Sequence, residues 1–283
     1  MKKVLVAYTD YNYLKYVRAW VHGARDIGKW DGDIVVIIPY CDKVKVEEKE
    51  FSDLDIKFFY PKEFGPNFYI HYYKLFIFDD YFKQWDWVFH VDLDVVFYSK
   101  IELGLSERNE NLFYANKDGI SLYQQFDYKD EPIDGDIFYA FAMTPRKIPV
   151  DVGYTKEVLK KTSSFQGCFL LLNKKLIIDG YLEELKQNYW KYAVYEKCCE
   201  RLRDQVILNL TLKDIWSDLG EEFVGKIPFM EEIEWDISKL ENGYYDDYDY
   251  TGKSILHMGR YLAPWDKNNL RFYPIWKKYN DKF

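Results

Sequence analysis

The chain has 283 residues, 48% of them hydrophobic and 20% aromatic, which excludes an intrinsically disordered protein and suffices for a sizeable core. Its formal net charge of −8 excludes broad nucleic-acid binding through a basic surface. An anionic ligand would therefore need a metal ion or a few placed cations.

Residues 3–8, KVLVAY, predict a first strand, and TDYNYL a turn after it. Residues 13–28 predict a helix, because Leu14, Val17, Trp20, Val21, Ala24 and Ile27 share one apolar stripe. DGDIVVIIP predicts a second strand stopped at Pro39, DKVKVEEKE a solvated helix or loop, and LDIKFFYP a third strand. HYYKLFIFDDYF predicts a helix that feeds the apolar run WVFHVDLDVVF at 87–97. This alternation implies an α/β fold with a mostly parallel sheet flanked by crossover helices. Residues 106–150 are polar and turn-rich and read as an insertion or long loops over the sheet. SSFQGCFLLLN predicts a strand entered at Gly167, residues 174–189 and 190–212 predict helices, and FVGKIP and SILHMG predict short strands. ENGYYDDYDYTGK reads as an acidic loop, and residues 266–280 as a terminal helix or coil. With no internal repeat and no linker, residues 1–283 are expected to form one domain.

The organising stretch is residues 87–97, where Asp92 and Asp94 interrupt an apolar run. Carboxylates in a buried strand are costly unless paired or bound to a cation. If the strand continues through them, period two puts both on one side. Two carboxylates converging at a strand end suit a hard divalent ion that keeps a phosphate in its shell. A strand that turns outward and leaves both aspartates solvated is the plain alternative.

Some of the 27 Tyr and 9 Trp are expected to line a site, and carbohydrate is one ligand that suits aromatic faces. Asp10 and Asn12 can hydrogen-bond a base edge and one of the tyrosines of this stretch can stack on it, or TDYN simply caps the following helix. Four cysteines, with Cys198 next to Cys199, show neither metal spacing nor a disulfide framework, which fits a reducing, cytoplasmic compartment. The start MKKVLVAYTD is too short in its apolar run for a signal peptide, and no stretch reaches membrane-spanning length. Asn209-Leu210-Thr211 matches a glycosylation sequon within a helical pattern.

Taken in order, the opening strand and TDYNY, the DLD triplet, the later Asp204-Gln205 and the H-x-G with Pro-Trp near the end resemble the GT-A glycosyltransferases. The likeness is to the retaining family of glycogenin and the bacterial lipopolysaccharide galactosyltransferases, and it spans residues 3–265. It implies one GT-A (Rossmann-like) domain, with a nucleotide-binding half at 1–105, an acceptor half at 106–265 and a tail at 266–283. It further implies that Ala7, Tyr8, Thr9, Asp10, Asn12 and Tyr13 hold the base and ribose of a nucleotide-sugar, with uridine the expected base. Lys74 falls beside the donor sugar and phosphate. Asp94 would ligate Mn²⁺ or Mg²⁺, Asp92 would bridge metal and ribose, and His257, one of four histidines with His22, His71 and His90, would be the third ligand. Gly259 and Arg260 would approach the diphosphate. Asp204 and Gln205 would steady the sugar at the anomeric carbon, and Gln166 would contact donor or acceptor sugar.

Two departures stand out. The family carries H-x-x-G-x-x-K-P-W, whereas this chain has HMGRYLAPW, with Ala263 in the lysine slot and the glycine one place early. Arg260 or Lys267 would then supply the charge. SSFQG replaces the family's Asn-Ser-Gly.

The expected activity is metal-dependent transfer of a hexose or pentose to a glycan or other hydroxyl acceptor, with retention. The residues also leave open an inverting enzyme with Asp204 as base, a nucleotide-sugar hydrolase or nucleotidyltransferase, a non-catalytic glycan-binding relative and a degenerate one. TDYNYL is not Gly-rich, which weighs against a nucleotidyltransferase. The basic, aromatic ending NLRFYPIWKKYNDKF either touches a membrane surface or packs on the core.

Overall fold

The computed structural model describes residues 1–66, 68–122, 156–195, 203–220, 224–226 and 253–257, and residues 265, 267, 273, 276 and 277. Strands β1 (Lys3–Tyr8), β2 (Asp33–Ile37), β3 (Lys57–Phe59) and β4 (Trp87–Val91) form the parallel part of a seven-stranded sheet. β5 (Val95–Phe97) leaves that sheet, and β6 (Phe113–Ser121), β7 (Ser163–Asn173) and β8 (Trp216–Asp218) complete it in the order β3-β2-β1-β4-β7-β6-β8. β7 runs antiparallel to both β4 and β6, while β6 and β8 are parallel. A second sheet has the order β5-β10-β9, with β9 at Val224–Lys226 and β10 at Ile255–His257.

The large sheet is buried on both faces, as its apolar strands require. Val4, Val6, Val35, Ile37, Val88, Leu170 and Leu172 share one core cluster with residues 72, 73 and 75–78 and with Val206, Ile207 and Leu208 of the Arg203–Leu212 helix. Leu5, Ala7, Ile34, Val36, Phe89, Val91 and Leu171 share the other with Trp20 and Val21 of the Val17–His22 helix and with Phe97. Alternate side chains of each strand thus feed opposite cores.

Several expectations are met by different local geometry. Residues 11–27 are helical as one run of 3₁₀, α and π turns. The predicted 71–82 helix is two 3₁₀ stretches, Ile70–Phe78 and Asp80–Gln84. The first is long for that geometry, and Tyr72–Phe78 are all buried, so surrounding side chains hold it on every side. The reading of 106–150 as loops is corrected at 113–121, where FYANKDGIS pairs with β7 in spite of its polar residues. The last strand before the helices begins at Ser163 rather than at Gly167.

Aromatic richness serves the core more than expected: Trp20, Trp30, Trp85, Trp87, Tyr72, Tyr73 and Tyr189 are all buried. Asn209 of the sequon is buried too. Its amide bridges the Phe165 backbone, accepting from N at 2.9 Å and donating to O at 2.8 Å, so the carboxamide does the work of a strand neighbour. Of the terminal segment, Trp276 meets Tyr16 edge-on with ring centroids 5.7 Å apart, which is a packing contact. Among the described residues no helix is long and apolar enough to cross a membrane. Cys198 and Cys199 lie outside the described residues, as do residues 123–155 and 227–252, where the longest predicted loops fall.

Candidate active site

Strand β4 does not continue through its aspartates, as period two alone would have it. The ladder to β7 ends with Val91 opposite Phe169 and one more bond, from Asp92 N–H to Cys168 O at 3.1 Å. Trp20 then donates its indole N–H to Asp92 O at 3.1 Å, and Asp92-Leu93-Asp94 carries the chain over to β5 in the second sheet. Both carboxylates therefore sit at the handover between two sheets, off the regular ladder. β10 runs antiparallel to β5 with His257 opposite Val95, and this register brings the imidazole to Asp94. His257 Nε2 lies 3.4 Å from Asp94 Oδ1. Asp92, Asp94 and His257 can each offer one ligand atom with all of them within 4.8 Å of one another. Two carboxylates and an imidazole are a donor set that fits Mn²⁺.

Lys74 enters from the Ile70–Phe78 stretch, 4% exposed. Its Nζ is 3.0 Å from Asp204 Oδ2 and 3.2 Å from Asp92 Oδ1, and it lies 5.3 Å above the Tyr8 ring. A buried ammonium is tolerable here because two carboxylates surround it. Burial pushes the Lys74 ammonium down, but Asp204 and Asp92 outweigh it and raise it well above the usual lysine range. Burial likewise pushes the Asp92 carboxyl up, yet Lys74 and the His90 hydrogen bond hold it well below the usual carboxylate range. At His257, burial lowers and the Asp94 carboxylate raises, and the second wins, so this histidine is protonated more readily than an exposed one. A proton here stands where a metal ion would, against Asp94.

β7 breaks register where it meets these groups. A step of two residues along β6, Ala115 to Lys117, is matched by five along β7, Leu170 back to Phe165. The break puts Gln166 and Gly167 at the site. A Cβ added at Gly167 would lie 3.0 Å from Asp204 Oδ2 and 3.2 Å from Lys74 Nζ, so a side chain here would press on the ion pair. Gly167→Ala is expected to cost about 1–2 kcal/mol, because both atoms it meets are pinned by partners, and urea unfolding would read it.

Asp204 and Gln205 open the Arg203–Leu212 helix. Gln205 Nε2 donates to Asp118 Oδ2 at 2.9 Å, and Gln166 Nε2 approaches Asp118 Oδ1 at 3.5 Å. Asp118 is a site residue that sequence reasoning missed. It was hidden in a KDG that reads as a turn, and the only available signal was the apolar opening FYA ahead of it.

At the end of β1 the candidates divide. Tyr8 lies at the site, under Lys74, with its hydroxyl 3.2 Å from His71 Nδ1 and its ring stacked on His90 at 5.6 Å. Burial raises its phenol well above the ordinary value. Ala7 is fully buried in the second core, and Thr9 is 3% exposed with its N–H bonded to Ile37 O, so neither points a free side chain outward. Asp10 Oδ1 accepts from Asn12 N and Tyr13 N, so the capping role weighed against base binding is present. Asn12 and Tyr13 are exposed, and Tyr13 stands 6.2 Å from the Trp265 ring, which itself stacks on Tyr16 at 4.1 Å. Lys267 is exposed, and Gly259, Arg260 and Ala263 lie outside the described residues.

The mixed, mostly parallel sheet with its flanking helices is shared with solved enzymes. The glycosyltransferase GlyE of Streptococcus pneumoniae TIGR4 superposes with a TM-score of 0.59 at 18% identity, over 99% of this chain and 61% of that one. The galactosyltransferase LgtC, solved with donor and acceptor sugar analogues, gives 0.60 at 15% identity over 99% of this chain and 96% of that one. Mouse xyloside xylosyltransferase 1 gives 0.51 at 11% identity, over 93% and 99%. No family model matches the chain, and no curated protein matches it. The fold is that of the GT-A glycosyltransferases, and it resembles that of LgtC. The chain spans 61% of the GlyE chain.

Proposed function

We propose that the chain is a metal-dependent glycosyltransferase that moves a hexose or pentose from a nucleotide-sugar to a hydroxyl of a glycan. The observation that carries this reading is the convergence of Asp92, Asp94 and His257 within 4.8 Å at the end of β4, in a fold shared with glycosyltransferases. Mn²⁺ or Mg²⁺ held by these three residues would neutralise charge developing on a departing diphosphate. Uridine as the base rests on the family resemblance alone.

The chain's own groups then have assignable tasks. Tyr13 offers an exposed aromatic face to a base, and Asp10 and Asn12 offer polar edges to it. Lys74 brings a fixed positive charge between Asp92 and Asp204, suited to the phosphate side of the donor. Asp204, with Gln205, Gln166 and Asp118, lines a polar wall whose oxygens and amides match sugar hydroxyls and could steady positive charge at the anomeric carbon.

Retention is favoured over inversion by one contact. A base on the enzyme must be free to take the acceptor's proton, whereas Asp204 Oδ2 is held by the Lys74 ammonium at 3.0 Å. In the same-face reaction the departing phosphate oxygen takes that proton, and no enzyme carboxylate is needed.

Thermal shifts with UDP-, GDP-, CMP- and dTDP-sugars, each with Mn²⁺ and with EDTA, test the reading. A Mn²⁺-dependent rise with one nucleotide family is expected. No rise with any of them would overturn it and point to a glycan-binding or degenerate protein.

A further inference from the structure

β4 carries one polar residue among Trp87, Val88, Phe89 and Val91, and that residue, His90, is 0% exposed. Packing does not explain it. Its Nδ1 has no hydrogen-bond partner among the described residues, and burying an unpartnered ring nitrogen is unfavourable. A phenylalanine would stack on Tyr8 as well, at no such cost. What the imidazole adds is its other nitrogen, 2.9 Å from Asp92 Oδ1. A carboxylate can only accept, so Nε2 carries the hydrogen and donates it.

The position suits this task. His90 lies one residue inside the end of β4, and the Asp92 carboxylate just beyond that end turns to meet its ring at 2.9 Å. The ring is pinned between a fully buried strand backbone and Tyr8, whose plane lies 27° from its own. Lys74 reaches the same oxygen, Oδ1, at 3.2 Å. Two donors from different elements thus converge on one oxygen of Asp92. A lysine chain alone would let the carboxylate rotate, whereas a rigid ring on a buried strand would not.

We propose that His90 is a positioning residue, which by donating to Asp92 Oδ1 fixes the carboxylate's rotation and reserves its second oxygen for the divalent ion. This rests on the metal-binding reading above. Groups behind metal ligands typically set metal affinity by 10–100-fold.

The test compares two isosteres in the purified full chain. His90→Gln keeps an N–H near the Nε2 position, and His90→Met fills the same volume without a donor. Free Mn²⁺ is counted by electron paramagnetic resonance during titration of each metal-free protein, and thermal unfolding is recorded alongside. The expected result is a Mn²⁺ affinity reduced about 10–100-fold in His90→Met and largely restored in His90→Gln. The Met variant should melt no lower than the Gln variant. Equal Mn²⁺ affinity in wild type and His90→Met would overturn the inference while leaving the metal site intact. Equal loss in both variants would overturn it in favour of a packing role. Absence of Mn²⁺ binding in the wild type itself would overturn the metal reading and the inference with it.

Discussion

Asp94→Ala is expected to lower glycosyl transfer by roughly 10³-fold, equivalent to about 4 kcal/mol of transition-state stabilisation. The side chain faces His257 at 3.4 Å and belongs to the three-residue cluster proposed to hold the metal ion. It lies on the short crossing between sheets, outside either ladder, so its removal takes away a ligand without breaking a strand. The variant should therefore melt within a few degrees of wild type in EDTA but lose the stabilisation that Mn²⁺ confers on wild type. Calorimetric titration with Mn²⁺ and a transfer assay on the same preparation would check both halves. Transfer at the wild-type rate by Asp94→Ala would sink the metal assignment.

Lys74→Met should be the most destabilising single change at the site, by about 3 kcal/mol near neutral pH. It leaves Asp92 and Asp204 facing each other with their shared cation gone; their side chains are only 18% and 11% exposed. The sign of its pH dependence follows from Asp92. Burial raises that carboxyl, and Lys74 together with the His90 hydrogen bond more than offsets it, so in wild type the pair contributes stability above the ordinary carboxylate range, lost as pH falls through the depressed value. In the variant the largest part of that offset is missing, and protonating Asp92 relieves its repulsion from Asp204. The stability gap between the two proteins should thus be widest near pH 7 and narrow toward pH 4. Urea unfolding at several pH values would measure it. A gap that stays constant with pH would mean that lost packing, not charge, explains the defect.

What the sequence revealed tracks how local each cause is. The DLD triplet was legible because two carboxylates in an apolar run are anomalous wherever they end up. Strands β1, β2 and β4 were legible because dense apolar runs need burial on both faces. Lys74 could be singled out because it is the one charge in a wholly apolar turn. The 3₁₀ geometry of residues 70–78 was not legible, since its cause is packing on all sides and not a pattern along the chain. Asp118 was missed for a similar reason: its strand is held by β7 and β8, and its own residues read as a turn. His90 could be counted but not interpreted, because its meaning depends on Tyr8 and Asp92 meeting in space. The β7 register break, which brings Gly167 against Lys74 and Asp204, leaves no local trace beyond the glycine.

The handover of the chain from one sheet to the other at Asp92–Asp94 has a consequence for assembly. Two of the three candidate ligands are supplied early in the chain, while His257 arrives only with β10, which among the described residues is also the sole partner of β5. Until that late segment docks, β5 offers an unpaired hydrophobic edge and the two aspartates lack their third ligand. Site completion and protection of that edge are then a single long-range event, slow by virtue of the chain length it must close. A divalent ion present during folding would act as a clasp on this final step. Protein expressed in metal-starved medium should accordingly carry more aggregate seeded at Val95–Phe97 than protein expressed with Mn²⁺.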